Sequence, residues 1–497
     1  MTEILAQLPA LQVVLPLLAA ILIVFLRHET FSFLLTLAVC LLLPFISAAM
    51  LRQVLQSGPI SYALGGWPPP FGIEYRVDLL NGIVLLLVSV IAAISLPFSY
   101  RSVKFEIDAA RRPWFYAMFL LCLAGLLGVA ITGDAFNAFV FLEISSLSSY
   151  VLVALGRDRR ALLAAYQYLI LGTIGATFYV IGVGFLYILT GSLNLVDIAA
   201  RAAELDPAQT RALLTALAFI TVGVSLKLAL FPLHFWLPNA YAYAPSFVTV
   251  FLSATATKVA IYLLIRFYFS VFGGALDLEA SPVMDILLGL SLAAMFVASI
   301  IAIFQTNLKR MLAYSSVAQI GYMTLGLSLA NAAGLTGAIV HMINHGIMKA
   351  ALFLALGAVF YRINTVRLSD ISGIGRSMPI TMGAFTIAGL GIIGVPGTAG
   401  FISKWYLANG ALENGSWLIV ALILGSSIIS VVYIGRILEA VWIGTPSGQV
   451  EKAKDPPPSM LAPLLILAAA SIYLGLDTRA TVGIAAIAAE ALLAGLQ

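Results

Sequence analysis

Charge is scarce in this chain: only 10% of its 497 residues are Asp, Glu, Lys or Arg, against roughly 25% in an ordinary soluble domain. With 62% hydrophobic residues and a mean hydropathy of +1.05, that scarcity excludes a solvated globular fold. Cysteine is almost missing. Cys40 and Cys122 both fall inside apolar runs, which excludes a disulfide framework and a zinc site of the CxxC kind. There is no glycine-rich nucleotide loop and no cysteine series for an iron–sulfur cluster, so no cofactor is expected on the chain and any redox centre would belong to partners. Nothing points to nucleic acid. The start, Met1-Thr2-Glu3-Ile4, lacks a positive n-region, so the first apolar run is expected to be retained.

What the chain has in abundance is apolar runs of the ~20-residue length that crosses a bilayer. About fourteen can be drawn, at 8–27, 31–50, 78–99, 113–132, 134–155, 162–190, 210–231, 241–270, 283–304, 311–331, 335–361, 378–413, 416–443 and 460–476, numbered here as spans 1 to 14. The fold class is therefore an all-α polytopic membrane protein. Two spans contain breakers. Pro232 follows Lys227 closely and should end a helix there, and Val395-Pro396-Gly397 interrupts a run too long for one helix.

The loops report orientation. Those after spans 1, 3, 5, 9, 11 and 13 hold Arg27, Arg101, Lys104, Arg111, Arg112, Arg157, Arg159, Arg160, Lys309, Arg310, Arg362, Arg367, Arg376, Lys452 and Lys454. The other set holds Arg52, Arg76, Arg201 and Arg211, with Arg479 in the tail. Cytoplasmic loops carry the Lys/Arg excess, so the expectation is a multi-pass protein of the cell membrane with both termini extracytoplasmic.

Against this alternation a few ionisable residues stand out because they belong to no loop: Glu143, Lys227, Lys258, Lys349 and Lys404. An ionisable group at membrane depth is expensive and is a functional candidate by default. For Lys227 the alternative is snorkelling to the interface. Span 11 adds His341 and His345, which with Lys349 are spaced i, i+4, i+8 and so share one helix face. Two histidines four apart are also a metal-ligand spacing, but a site needs further ligands and no second cluster is visible; structural histidines are the other alternative. Histidine titrates near neutral pH, and a proton-conducting stripe accommodates all three residues.

The chain also repeats itself. Ala165 to Tyr187 and Ile339 to Tyr361 end in similar patterns, 361 − 187 = 174 residues apart, and the lysines beside the two breaks are 404 − 227 = 177 apart. Spans 4–8 then recur as spans 9–13. An odd number of spans per copy inverts the second copy, which gives two inverted five-helix repeats, each with a broken helix. The expected units are an N-terminal three-helix segment (1–112, with an extracytoplasmic loop at 51–77), a first repeat (113–270), a second repeat (283–443), and a C-terminal helix with a short apolar tail (444–497), its residues 480–497 suited to an interfacial or packing helix. A lysine in low dielectric gives up its proton more readily than one in water. A carboxylate at about 4 Å opposes that by roughly 4 kcal/mol, about a thousandfold in proton affinity. Joining and parting Glu143 and Lys227 would therefore switch proton affinity. This is transport chemistry with no covalent catalysis.

These residues resemble the antiporter-like subunits shared by Mrp-type cation/proton antiporters, respiratory complex I and membrane-bound hydrogenases. The likeness covers nearly the whole chain. Its specific marks are the run from Lys227 through Leu-Ala-Leu-Phe-Pro-Leu-His-Phe-Trp-Leu-Pro to Asn239 and beyond, and Met342-Ile-Asn-His-Gly-Ile-Met-Lys349. The resemblance implies that Glu143 and Lys227 modulate, that Lys258 and the span 11 histidines relay protons, and that Lys404 gates one half-channel. It implies other membrane subunits as partners, with protons and Na⁺ or K⁺ as the transported ions. The loop from Leu64 to Asp78 looks like that of the Mrp D subunit, and Lys404 still accommodates the complex I subunit nearest the quinone arm. Three readings follow: the D subunit of a Na⁺(K⁺)/H⁺ antiporter, a pumping subunit of a redox complex, and a scaffold whose charges are relics. The chain stops soon after span 14, so the long C-terminal extensions of the largest such subunits are not expected.

Overall fold

The computed structural model describes residues 6–277, 281–446 and 448–494; the first four residues, on which retention of the first span was argued, and residues 495–497 of the tail lie outside these. Twelve helices among the described residues are long and apolar enough to cross a membrane. The other two expected spans are also present. Span 10 is the helix Leu308–Ser328, made more polar by its serines, Gln319 and Tyr322, and span 12 is split into Pro379–Ile393 and Ala399–Glu413.

Side chains at the helix starts explain several boundaries. Asp78 and Asn81 form a reciprocal cap on span 3 (Leu79–Glu106), and Asp134, Asn307 and Asn331 each accept a backbone N–H in the first turn of spans 5, 10 and 11. Span 7 (Thr210–Leu228) breaks earlier than its proline. Ala229 takes the left-handed conformation (φ 61°), and the chain resumes as a short helix, Trp236–Tyr243. Residues 241–243 thus complete the broken helix rather than opening span 8. Span 8 starts at Ser246, after Pro245 has forced Ala244 into extended backbone. Residues 51–57, expected in a loop, continue the helix of span 2 (Glu29–Ser57), and the loop that follows is an antiparallel hairpin of β1 (Ile60–Ala63) and β2 (Glu74–Val77). The tail folds as a helix, Arg479–Ala494, packed on spans 3 and 11.

The inverted repeat is written in the backbone. Asp134 bridges Asn194, and Asn307 bridges Arg367, each member shifted by 173 residues (307 − 134 and 367 − 194). The flanking hydrogen bonds match: Ala135 N to Leu193 O and Leu195 N to Gly133 O recur as Leu308 N to Val366 O and Leu368 N to Thr306 O. The two bridges lie on opposite faces. On one face Glu74 binds Asn194 and the backbone of Gly133, Tyr62 donates to Gln7, and Asn331 donates to Asn414. On the other, Glu29 pairs with Lys104 and Arg112, Arg157 reaches Asn364, and Arg362 reaches the Asp455 carbonyl. These are the two loop sets read from the alternation of charge.

Small residues let the paired helices meet in each repeat. A Cβ on Gly223 would lie 2.6 Å from the Gly175 carbonyl between spans 7 and 6, and one on Gly410 would lie 2.5 Å from Gly334 N between spans 12 and 11. Span 8, with 94% of its apolar window buried, span 4, with 83%, and spans 3 and 11 (Ala332–Ile363), with 78% each, form the centre, with spans 8 and 11 packed on each other. Spans 8 and 11 carry Lys258, His341, His345 and Lys349.

Candidate functional site

The first centre forms where the break in span 7 meets span 5 (Ala135–Ala154). Lys227, in the last turn before Ala229, donates to Glu143 Oε1 at 3.1 Å and to Ser146 Oγ at 2.6 Å. The break is stapled beside it. Trp236 Nε1 donates to the Leu226 carbonyl (2.9 Å), and its ring stacks on Tyr168 with centroids 3.9 Å apart. The ammonium is almost wholly buried, while the Glu143 side chain keeps 23% exposure.

Lys258 is fully buried one helix away, its ammonium on the Ser253 carbonyl and the Thr257 hydroxyl. It has no carboxylate within salt-bridge distance among the described residues, and it stands within electrostatic range of His341, His345 and Lys349. Span 11 holds those three on one face as expected. The two imidazoles are parallel, 5.9 Å between centroids, and Lys349 donates to the Leu312 carbonyl (2.7 Å) and to the Ser315 hydroxyl of span 10. His341 Nδ1 shares a 2.8 Å hydrogen bond with Ser403 of span 12.

Lys404 closes the series. It lies in the second half of span 12 and folds back over the break, donating to the carbonyls of Ile392 (3.1 Å) and Ile393 (2.9 Å) and to Ser427 Oγ (3.0 Å). The ring of Tyr322 lies 4.7 Å below the ammonium and 5.7 Å from His341. The two break lysines are not at matching places. Lys227 precedes the left-handed Ala229 by two residues, whereas Lys404 follows the left-handed Gly394 by ten.

Along this line several buried polar atoms have no protein partner among the described residues: His341 Nε2, both ring nitrogens of His345, Asn344 Oδ1 and both amide atoms of Gln319. Buried polar atoms are normally satisfied, by water where protein does not serve. The series from Lys258 to Lys404 is thus lined by groups that can each hold a water.

The structure adds residues that the loop-by-loop reading does not find. Lys309, counted as a loop residue, is buried with only 4% exposure. His234 is buried within the break of span 7, against Phe231, Phe235 and Tyr314. Asp78 and Arg266 form an ion pair at 2.6 Å at the wall of a cavity of about 420 Å³. Lys309 sits beside Arg310 in a run that reads as a positive loop, and Gln319 carries no charge, so neither gives a signal; His234, inside the quoted motif, does.

This arrangement has counterparts. The family described as NADH:quinone oxidoreductase/Mrp antiporter, transmembrane, matches residues 132–430. The chain belongs to that family. This antiporter-like chain is 42% identical to the N subunit of the NADH-quinone oxidoreductase of Desulforudis audaxviator, over 95% of its own length and 96% of that protein's. It is 30% identical to the D subunit of the Na(+)/H(+) antiporter of Alkalihalophilus pseudofirmus over 93% of both. Among solved structures, a chain of the membrane-bound sulfane sulfur reductase, an archaeal respiratory membrane complex, superposes with a TM-score of 0.89 at 31% identity, covering 99% of this chain and 100% of that one. A chain of the Mrp complex from Dietzia gives 0.89 at 26% identity over the full length of both, and one of respiratory complex I from Thermus thermophilus gives 0.77 at 26%, covering 96% and 99%. Each of these three solved chains is part of a larger complex.

Proposed function

We propose that the protein is a proton-translocating subunit that passes protons through the midplane from Glu143 and Lys227 by way of Lys258, Lys349, His345 and His341 to Lys404. The observation that carries this reading is the succession of buried ionisable groups across spans 5, 7, 8, 11 and 12, with unpartnered imidazole nitrogens in its middle. A scaffold has no use for it, since each buried charge costs several kcal/mol unless paired or neutralised. Reconstituting the intact complex in vesicles and following internal pH on imposing an ion gradient tests the reading directly. Proton flux that survives simultaneous replacement of Lys258 and His345 by leucine would refute it.

The host complex is the finer question. The antiporter reading, with this chain as the D subunit, draws on the loop from Leu64 to Asp78, on the 30% relative and on the Mrp likeness. A second reading, a pumping subunit of a redox complex, is favoured by 42% identity to the N subunit of an NADH-quinone oxidoreductase. Affinity purification of the tagged chain from its own membranes decides between them. Membrane subunits alone, with Na⁺- or K⁺-dependent proton movement, support the antiporter; co-purifying electron-carrying subunits support the pump. In both cases a partner is needed at span 5. Glu143 is part-exposed on a face with Phe136, Val140, Leu147 and Val151, and a carboxylate facing lipid would cost a few kcal/mol.

The same reading places the Arg/Lys-rich loops in the cytoplasm and both termini outside. Cys40 and Cys122 are buried, so a membrane-impermeant maleimide should react only with introduced cysteines. Ala110→Cys is expected to label in everted vesicles only, and Ser57→Cys in right-side-out vesicles only. The reverse pattern would invert the topology.

A further inference from the structure

The midplane series needs a way in from the basic-loop face, and a second cluster of buried charge lies there. Glu106, the last residue of span 3, has 8% exposure. Its Oε1 accepts from Ser102 (2.7 Å), and its Oε2 accepts from the backbone N–H of Ser246 (2.9 Å), the first residue of span 8. The hydroxyl of Ser246 accepts from Lys309 Nζ at 3.1 Å, which also approaches the Ala244 carbonyl (3.4 Å). Span 3, span 8 and span 10 thus meet through one carboxylate, one hydroxyl and one buried ammonium.

This cluster is open on one side. Glu106 lines a cleft of about 480 Å³ whose other polar walls are Lys104, Asp108, Arg111, Arg112 and Arg157. Lys104 and Arg112 are held by Glu29. Span 10 links the cluster to the midplane series: Lys309 lies one turn before Leu312, whose carbonyl accepts from Lys349.

We propose that Glu106, Ser246 and Lys309 form the proton-uptake mouth on the basic-loop face. The proposal rests on the reading of the midplane series as a proton path. The Glu106 carboxylate takes a proton from water in the cleft. When the Lys309 ammonium has released its proton to water on the Lys349 side, the Glu106 acid returns one to it through water in the cleft, so Glu106 is again a carboxylate on the Ser246 N–H and Lys309 again the ammonium that donates to the Ser246 hydroxyl. The ligand of this site is the aqueous proton, and Lys309 stands at the foot of the helix face that Lys349 grips.

A structural role competes with this one and has a different signature. Span 8 has no side-chain cap of its own, its N-cap being Pro245, and Glu106 supplies an acceptor for its first N–H. Gln at 106 keeps that acceptor but carries no proton. The test is proton flux by the reconstituted complex, with assembly checked by size-exclusion chromatography. Glu106→Gln and Lys309→Gln are each expected to lower flux at least about tenfold, as losing a positioned proton carrier does, with assembly unchanged and partial recovery in Glu106→Asp. Wild-type flux in Glu106→Gln, with loss in Glu106→Ala, would make Glu106 a helix cap and overturn the mouth. Glu143→Ala serves as the reference: if it abolishes flux while both Gln variants conduct normally, only the mouth fails. If Glu143→Ala also conducts normally, the proton path itself fails.

Discussion

Glu143→Ala and Lys227→Ala should each abolish coupled ion movement while the complex still assembles. The pair is 3.1 Å apart, which at an effective dielectric near 20 corresponds to about 5 kcal/mol, more than a thousandfold in proton affinity. No other acid lies within salt-bridge distance of Lys227 among the described residues; Ser146 remains as a neutral acceptor. Stability should separate from transport. Removing Glu143 alone leaves a buried ammonium without its counter-charge, a loss of about 3–5 kcal/mol where the charge is retained. The double variant Glu143→Gln with Lys227→Met should therefore unfold at a higher temperature than Glu143→Gln alone, yet transport no better. Thermal unfolding of the purified complex, run beside vesicle flux, checks both halves. A single variant with normal flux would show that the pair is only a structural tie.

Part of this site is legible in the residue string because a bilayer makes ionisable groups conspicuous. Lys258, His341, His345 and Lys349 lie in apolar runs, and the i, i+4, i+8 spacing survives into the structure because span 11 is one unbroken helix of 32 residues. The alternation of basic loops likewise separates the two faces correctly, since lipid leaves so few other places for arginine. What escapes the string is tertiary. Lys309 is next to Arg310 and reads as loop; its burial comes from Asn307 starting span 10 early and from Ser246 of another span approaching it. The break in span 7 is signalled by Pro232 but begins at Ala229, and nothing about alanine announces a left-handed residue. Lysines 177 residues apart only approximate the repeat, whereas the backbone bridges set the shift at 173 and leave the two lysines on different sides of their breaks.

Lys404 is where charge and chemistry separate most cleanly. Its ammonium meets two carbonyls at the C-terminal end of Pro379–Ile393 and a serine of span 13. A cation at a helix C-terminus is favourable on its own account, so the geometry alone would suit a structural anchor. Lys404→Arg retains the charge and the donors to Ile392 and Ile393, but arginine does not release its proton in any usable range. An anchor tolerates arginine far better than alanine, whereas a lysine that exchanges protons fails with both. The expectation is that Lys404→Ala and Lys404→Arg each lose about a hundredfold or more in flux, with Lys404→Arg keeping the assembled complex at wild-type thermal stability. Gly394→Ala adds an independent handle. Its Cβ would fall 2.9 Å from Lys404 Cδ at a backbone φ of 90°, so it displaces the lysine without removing its charge or its titration, and it should cost flux even though every ionisable group remains. Flux near wild type in Lys404→Arg between about pH 7 and 9, where arginine stays charged, would show that this lysine holds the break together and carries no protons.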